Sequence, residues 1–341
     1  MPAPYIISFV STLVLTLTLA VSTYSAEPVR FVFDTDLGND VDDAMALAVI
    51  HALQNRGECE MLAITTTKDD PYVAPMIDIL NTFYGRPEIP IAVIKNGKTQ
   101  DVGKYTRRVF ELKDDKGDPR YPRTLLPEDY AKMSDAVPFL RQLLASQPDG
   151  SVVLVQVGFF TNFARLLDTP ADDISPLTGK ELIAKKVKYL SMTACTFDDP
   201  EFQEYNIMID VPSAQKLITE WPTEIIISGC EIGNTILHPG ISMKEDYGYV
   251  KYHPLQDAYD FYRGLDNAQP TWDLTIMLYV VRPNRGYFDI SPPGTVTIQD
   301  GGQSTFTPSA SGKHRYLTVS PEQVATIREA FVQLCSEPPK R

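Results

Sequence analysis

Basic side chains are scarce in this chain of 341 residues. Its 31 Lys and Arg residues stand against 44 Asp and Glu residues, which gives a formal net charge of −13 at pH 7. Proteins that hold nucleic acid or anionic lipid neutralise phosphate groups with Lys and Arg. The chain is therefore not expected to bind nucleic acid or an anionic membrane surface, whereas neutral small molecules remain compatible with its charge.

Cysteine and histidine are also rare, with four residues of each. The cysteines are far apart and form no CxxC spacing, which argues against a zinc or redox motif. Buried free thiols are the expected state, and one disulfide remains an alternative in an oxidising compartment. The four are Cys59, Cys195, Cys230 and Cys335. No histidine is assigned a role, and His51, on the apolar side of a predicted helix, is expected to be packed.

Charged side chains are absent from the first 26 residues, which contain an apolar run from about residue 5 to residue 21 and end in small residues. This pattern predicts a secretory signal peptide over residues 1–26, and hence an exported protein, periplasmic or secreted. The alternative is an uncleaved membrane anchor, although the run is slightly short for a membrane span. Residues 27–341 show no internal repeat and no domain break.

From residue 29 onward, short apolar strands alternate with helical patterns. Strands are predicted at residues 29–33, 61–67, 89–94, 151–157, 187–192 and 224–228, and helices at 42–54, 74–85, 134–146, from 162, 211–220, 273–281 and 320–335. The alternation predicts an α/β fold with an open, mostly parallel sheet flanked by helices. Residues 95–130 are predicted to form a long excursion, a lid or an oligomer contact, and residues 239–270 to be irregular.

Five aspartates fall within ten positions after the first predicted strand. They are Asp34, Asp36, Asp40, Asp42 and Asp43. Ligands of parallel α/β sheets bind at the carboxyl ends of the strands, where this cluster lies. Because carboxylates this close repel one another and hard cations prefer oxygen ligands, the turn is predicted to offer three or four carboxylates to one metal ion. Calcium is favoured, since no cysteine or histidine cluster suits a softer metal.

Two known aspartate motifs fit this stretch poorly. An EF-hand loop that began at Asp34 would need glycine and glutamate where Asn39 and Met45 stand. The haloacid-dehalogenase phosphatases carry DxD after a first strand and use the first Asp as nucleophile, but their pattern does not include Gly38 or a second acidic pair. A phosphatase that acts through Asp34 is retained as an alternative.

A third pattern fits better. The stretch DTDLGNDVDDAMAL resembles the DTDxGxDDAxAL signature of the nucleoside hydrolases, with two residues inserted between the glycine and the DD pair. Four further blocks resemble landmarks of that family in the same order: LAITTTKDD (62–70), SVVLVQVGFFTNFARLL (151–167), EYNIMIDVPSA (204–214) and PTWDLTIMLYVVRP (270–283). The resemblance covers nearly the whole chain from residue 30 and implies one catalytic domain over residues 27–341.

The resemblance implies roles for the matching residues. Asp36 would be a metal ligand and also the general base for the attacking water. The other implied Ca²⁺ ligands are Asp43, Asp273 and the backbone carbonyl of Val157. The implied substrate contacts are Asp42, Asp70, Met192, Glu204, Asn206 and Trp272. Asp34 is expected to brace the loop.

The implied reaction is hydrolysis of the N-glycosidic bond of ribonucleosides by a homodimer or homotetramer. Trp272 stands where many relatives have histidine, and purine-preferring members also carry tryptophan there, so the resemblance implies a purine preference. The insertion is expected to bring Asp40 towards the place of Asp42. The remaining alternative is an exported nucleoside- or sugar-binding protein that kept the fold without turnover.

Overall fold

The computed structural model describes Met1, residues 27–99 and residues 101–340. The predicted signal peptide therefore lies outside the described residues, apart from Met1. No helix in the described part of the chain is both long and apolar enough to span a bilayer.

Twelve strands and thirteen α-helices make up the described chain. The strands are β1 (Val29–Thr35), β2 (Cys59–Thr66), β3 (Ile91–Val93), β4 (Val152–Gln156), β5 (Val187–Thr193), β6 (Glu224–Ser228), β7 (Leu237–His238), β8 (Gln269–Pro270), β9 (Asp289–Ile290), β10 (Gly294–Ile298), β11 (Ser304–Pro308) and β12 (His314–Thr318). The helices are α1 (Asp42–Asn55), α2 (Val73–Phe83), α3 (Thr106–Phe110), α4 (Ala136–Ser146), α5 (Thr161–Leu167), α6 (Gly179–Lys186), α7 (Tyr205–Ile209), α8 (Val211–Glu220), α9 (Cys230–Thr235), α10 (Gly240–Glu245), α11 (Pro254–Tyr262), α12 (Trp272–Val281) and α13 (Pro321–Cys335). A 3-10 helix covers Pro127–Lys132.

The predicted open, mostly parallel sheet is confirmed. Strands β3, β2, β1, β4, β5, β6 and β12 are neighbours in this order and run parallel. Strands β10 and β11 extend the sheet with antiparallel pairing, and β9 pairs with β12. Every residue of β4 is buried, as expected for a strand covered by helices on both faces of the sheet.

Helix α1 directly follows the aspartate loop and fixes its position. All of its residues from Asp42 to Leu53 are buried, because it packs on the sheet and against both α12 and α13. This burial anchors the carboxylates of its first turn, Asp42 and Asp43, in the protein interior. His51, on the same helix, is fully buried and shares a 3.0 Å hydrogen bond with Oδ1 of Asn81, so its predicted packing is confirmed.

The prediction of irregular structure over residues 239–270 is wrong. Helices α10 and α11 lie in this segment, and α11 begins at Pro254, where a proline ring is compatible with the first helical turn. The ring of His253 accepts a hydrogen bond from the backbone N–H of Leu255 at 3.2 Å and thereby caps α11. The sequence does not signal this start, because histidine is not among the usual capping residues.

Among its described residues, the excursion over residues 95–130 carries two short helices, α3 and the start of the 3-10 helix. Its backbone lies against the aspartate loop, where the N–H of Lys104 donates to the carbonyl of Gly38 at 2.8 Å. The side chain of Arg108 reaches the carbonyl of Phe261 at 3.0 Å and joins the excursion to α11. Its role as a lid or an oligomer contact stays a prediction.

Candidate active site

The aspartate loop turns sharply between β1 and α1. Gly38 makes this turn with φ +115°, a conformation that favours glycine, and a Cβ atom there would lie 3.0 Å from Cγ2 of Thr106. The loop therefore passes from the carboxyl end of β1 into the first turn of α1 within six residues, 36–41. Asp36 and the pair Asp42–Asp43 consequently face the same edge of the sheet.

Four carboxyl groups converge at this edge. They belong to Asp40, Asp42, Asp43 and Asp273, and one oxygen from each lies within 4.8 Å of the others. Asp273 comes from the start of α12, and its backbone N–H donates to Oδ2 of Asp42 at 3.0 Å. The hydroxyl of Thr35 donates to Oδ1 of Asp43. Two distant segments of the chain are thereby fixed around one point.

The chemistry of this cluster suits a hard divalent cation. Oδ1 of Asp42 and Oδ2 of Asp43 are buried and have no hydrogen-bond partner among the described residues. Burial, and then repulsion by the neighbouring carboxylates, hold the pKa values of Asp42, Asp43 and Asp273 well above their usual range. Carboxyl groups in such contact require either protons or a cation between them, and an all-oxygen donor set is the kind that Ca²⁺ accepts.

Asp36 lies on the wall of an adjoining cavity rather than among the four convergent carboxyl groups. Its Oδ2 accepts a 2.5 Å hydrogen bond from Nδ2 of Asn39, whose Oδ1 accepts a 2.8 Å hydrogen bond from Nζ of the buried Lys68. Burial, and then the charge of Asp40, raise the pKa of Asp36 to about 8, while Asn39 and Lys68 act in the opposite direction. Lys68 and Asn39 thus restrain one carboxylate oxygen and leave the other to the cavity.

The cavity has a volume of about 240 Å³. Its lining residues are Asp36, Asn39, Asp40, Lys104, Val157, Thr193, Phe202, Glu204, Tyr205, Asn206, Cys230, Asn234, Trp272 and Asp273. The lining includes several acids and amides together with the aromatic side chains of Phe202, Tyr205 and Trp272. This combination suits a ligand that has a hydroxyl-rich part and a flat apolar part.

Two of the predicted sugar contacts, Glu204 and Asn206, lie at the start of α7. The carboxylate of Glu204 caps this helix by accepting hydrogen bonds from the N–H groups of Asn206 (2.9 Å) and Ile207 (3.0 Å), and burial raises its pKa to about 7. Nδ2 of Asn206 donates to the carbonyl of Val157 at 3.0 Å. The structure therefore brings Glu204, Asn206 and the predicted carbonyl ligand together at the cavity wall.

Several predicted site residues do not line the cavity. Asp42 and Asp43 lie behind it in the carboxylate cluster, and Met192 is buried in the core around β5. Asp70 accepts hydrogen bonds from the backbone N–H groups of Tyr72 (2.9 Å) and Gly103 (2.7 Å), so its carboxylate joins the excursion to the sheet. Contacts of Asp70 and Met192 with substrate remain predictions without geometric support in this structure.

Asp34 is fully buried and does not line the cavity. Its Oδ1 accepts hydrogen bonds from Oγ1 of Thr65 at 2.5 Å and from Nδ2 of Asn162 at 2.8 Å. A phosphatase nucleophile must reach a phosphorus atom, and a carboxylate enclosed in this way is inaccessible to one. The geometry therefore argues against the phosphatase alternative and agrees with a bracing role for Asp34.

The sequence analysis assigned no role to several cavity residues. Asn39 gave no motif signal, and Lys68, although it lies in a family block, contacts it across 29 residues of sequence. Phe202 and Tyr205 flank the predicted Glu204 and could have been found as neighbours of a family landmark. Cys230, one of four cysteines that are all free, is half-buried at the cavity, and the prediction of free thiols is confirmed.

A carboxylate cluster that could hold a metal ion and an adjoining cavity lie at the carboxyl edge of the parallel sheet, where α/β proteins bind their ligands. The family model described as inosine-uridine preferring nucleoside hydrolase matches residues 31–330. The chain belongs to this family, as its five sequence blocks predicted, and it is an N-glycosyl hydrolase of ribonucleosides. The family is metal-dependent, and the carboxylate cluster of this chain could hold the ion. No significant match was found among curated proteins.

Solved structures share the fold at low sequence identity. A plant nucleoside hydrolase is 20% identical, with a TM-score of 0.67 and coverage of 91% of this chain and 100% of its own. The purine-preferring ribonucleoside hydrolase from Gardnerella vaginalis is 15% identical, with a TM-score of 0.66 and coverage of 90% and 98%. The inosine-uridine preferring nucleoside hydrolase from Bacillus anthracis is 16% identical, with a TM-score of 0.64 and coverage of 90% and 99%.

Proposed function

We propose that this protein is an exported, Ca²⁺-dependent hydrolase that cleaves the N-glycosidic bond of purine ribonucleosides and gives ribose and the free base. One observation carries the proposal: a convergent set of buried carboxyl groups adjoins a cavity whose other residues include Trp272. The carboxylates suit a hard cation, and the indole ring suits a flat base. A nucleoside has both features that these groups would bind: a ribose diol for the cation and a flat base for the indole ring.

The proposed Ca²⁺ ligands are the carboxylates of Asp43 and Asp273 and the carbonyl of Val157. Ligation by Asp36, which lies on the cavity wall outside the four convergent carboxyl groups, stays a prediction. A divalent cation held by these ligands would supply Lewis-acid assistance to the attacking water. Asp36 would accept the proton of the attacking water through the oxygen that Asn39 leaves free, and such general-base assistance accelerates reactions by roughly 10²–10⁴-fold. The water oxygen forms the new C1′–O bond as the C1′–N bond breaks, and the leaving base takes up a proton from solvent.

The sugar end of the cavity is proposed to hold the ribose hydroxyls. Glu204 and Asn206 reach this end from α7, and their positions are fixed by their bonds to backbone N–H groups and to the carbonyl of Val157. Asp42 lies behind the cavity in the carboxylate cluster, so its contact with a ribose hydroxyl stays a prediction of the family resemblance. Fixing the sugar in this way supports a reaction that passes through an oxocarbenium-like state.

The base end is proposed to favour purines through aromatic contact. Nε1 of Trp272 donates to Oδ1 of Asn234 at 3.0 Å, which fixes the orientation of the indole ring at the cavity. Phe202 and Tyr205 also line the cavity and supply candidates for a second aromatic contact. Base–aromatic stacking contributes about 1–3 kcal/mol per base in nucleic-acid complexes. A purine offers the larger surface for this contact.

Two further parts of the proposal rest on sequence alone. The uncharged apolar N-terminus supports export with removal of roughly the first 22–26 residues. The family resemblance supports a homodimer or homotetramer. N-terminal sequencing of protein from its native host and light scattering of the purified protein test these two points.

A panel of substrates tests the reaction itself. Ribose release from inosine, guanosine, adenosine, uridine and cytidine is the expected result, with purines ahead. Phosphate release from phosphate monoesters would instead support the phosphatase alternative. Tight nucleoside binding with neither product would identify a binding protein that has kept the fold.

A further inference from the structure

We propose that Asp40, a residue of the two-residue insertion region, is an additional carboxylate ligand of the metal ion. The inference rests on the proposed function, since it concerns the same ion. The family signature places only one residue between the glycine and the DD pair, whereas here Asn39, Asp40 and Val41 stand there. The longer loop therefore brings a carboxylate that the signature does not contain.

Geometry places the carboxyl group of Asp40 among the four convergent carboxyl groups. It lies against the carboxyl groups of both Asp42 and Asp43, and one of its oxygens is within 4.8 Å of an oxygen of Asp273. It is half-buried and lines the cavity, so it faces the substrate side of the cluster. The insertion thus closes the cluster on the side where Asp42 and Asp43 would otherwise meet the cavity.

Fixed polar groups already use one oxygen of each neighbouring aspartate. The backbone N–H of Asp273 occupies Oδ2 of Asp42, and the hydroxyl of Thr35 occupies Oδ1 of Asp43. The remaining oxygens of Asp42 and Asp43 are buried and without partners among the described residues. The carboxyl groups of Asp40, Asp42 and Asp43 converge, and the free oxygens of Asp42 and Asp43 are available to an ion held among them.

Protein cations do not neutralise this charge. Among the described residues, Asp40, Asp42, Asp43 and Asp273 form no ion pair with Lys or Arg. A carboxylate inserted here would only add repulsion if no ion were bound. With a calcium ion bound, a further charged oxygen strengthens binding, because the affinity of oxygen sites depends on the number of charged ligands. Asp40 is therefore expected to destabilise the metal-free protein and to stabilise the calcium complex.

Calcium binding by calorimetry to chelator-treated protein tests the inference. Asp40→Asn and Asp40→Ser are each expected to weaken Ca²⁺ binding roughly tenfold or more. Glu231→Gln is the matched control: this acid lies in a depression beside the cavity, outside the cluster, and its removal should change the affinity far less. Asp43→Ala reports on the proposed site as a whole and should abolish binding.

Thermal unfolding supplies a second readout, in which Asp40→Asn should raise the Tm without calcium and reduce the gain in Tm that calcium gives. Without calcium, Asp40→Asn should unfold at a higher temperature than the wild type, because repulsion is relieved. With saturating calcium, its gain in Tm should be smaller than that of the wild type. Wild-type calcium affinity in both Asp40 variants, with or without a raised KM for nucleoside, would overturn the inference. Wild-type affinity in Asp43→Ala would instead overturn the proposed metal site.

Discussion

Nδ2 of Asn39 donates a 2.5 Å hydrogen bond to Oδ2 of Asp36, and the same amide group accepts a hydrogen bond from Nζ of Lys68 at 2.8 Å. Lys68 is only 2% exposed, so its charge is enclosed next to the proposed general base. The three residues form a line of hydrogen bonds that runs from the end of β2 to the wall of the cavity. These hydrogen bonds fix which oxygen of Asp36 faces the attacking water.

The first prediction concerns Lys68. Lys68→Met should lower kcat about 10- to 100-fold, the usual cost of losing a residue that orients a ligand, and leave KM for inosine nearly unchanged. Asn39→Ala should have a similar effect, and the double variant should be no worse than either single one, since both act through Asp36. Lys132→Met is the control, because this exposed cation on the 3-10 helix does not line the cavity. Additive losses of kcat in the double variant would show that Lys68 and Asn39 do not act together through Asp36.

Asp36 itself is predicted to matter more for kcat than for metal binding. Asp36→Asn should reduce kcat by roughly 10²–10⁴-fold, since the amide cannot accept the proton of water. Because Asp36 lies outside the group of four convergent carboxyl groups, this variant should bind Ca²⁺ better than Asp43→Ala does. Steady-state kinetics and calorimetry check the two parts. A kcat near that of the wild type would exclude Asp36 as the base.

His51 provides a prediction on pH and stability. Burial, and then the charge of Arg86, lower the pKa of His51 from 6.5 to about 3. The unfolded chain therefore binds a proton below pH 6.5 that the folded chain does not, so stability is lost as the pH falls from 6.5 towards 3, by about 1.4 kcal/mol per pH unit. The free energy of unfolding of calcium-saturated protein can be measured by urea unfolding at several pH values between 6.5 and 3. It should change less steeply with pH in His51→Leu than in the wild type, by about one proton. An equal dependence on pH in the two proteins would contradict a buried neutral His51 ring.

Trp272 is predicted to determine the preference for purines. Trp272→Ala should lower kcat/KM for inosine and guanosine about tenfold or more, in line with the loss of a stacking contact. Trp272→Phe should retain most of the rate, because it keeps an aromatic face, and uridine should be affected less than inosine in both variants. The preference fails if uridine is the best substrate of the wild type, or if Trp272→Ala leaves the purine rates unchanged.

The sequence predicted the sheet and the place of the site well, because both depend on local patterns. The apolar run VVLV of β4 indicated a sheet covered on both faces, and the aspartates after β1 marked the carboxyl edge where parallel sheets bind ligands. The family blocks also brought Asp273 to the same edge, although 230 residues separate it from Asp43.

What the sequence did not predict depends on contacts between distant segments. The bond between Lys68 and Asn39 arises because the residue two positions after β2 lies beside the loop that follows β1, and no periodicity signals it. Asp70 accepts hydrogen bonds from the N–H groups of Tyr72 and Gly103, and the second of these bonds forms because the excursion folds back onto the sheet. The position of Asp40 among the other carboxyl groups depends on the loop geometry that Gly38 allows.

Ribose release from inosine by metal-free and calcium-restored protein tests the central claim most directly. The wild-type protein should be inactive after treatment with a chelator and regain its rate on addition of Ca²⁺. Asp43→Ala, which removes a proposed ligand without touching the cavity wall, should stay inactive at every calcium concentration. Full activity of the chelator-treated wild type, or of Asp43→Ala, would contradict the account.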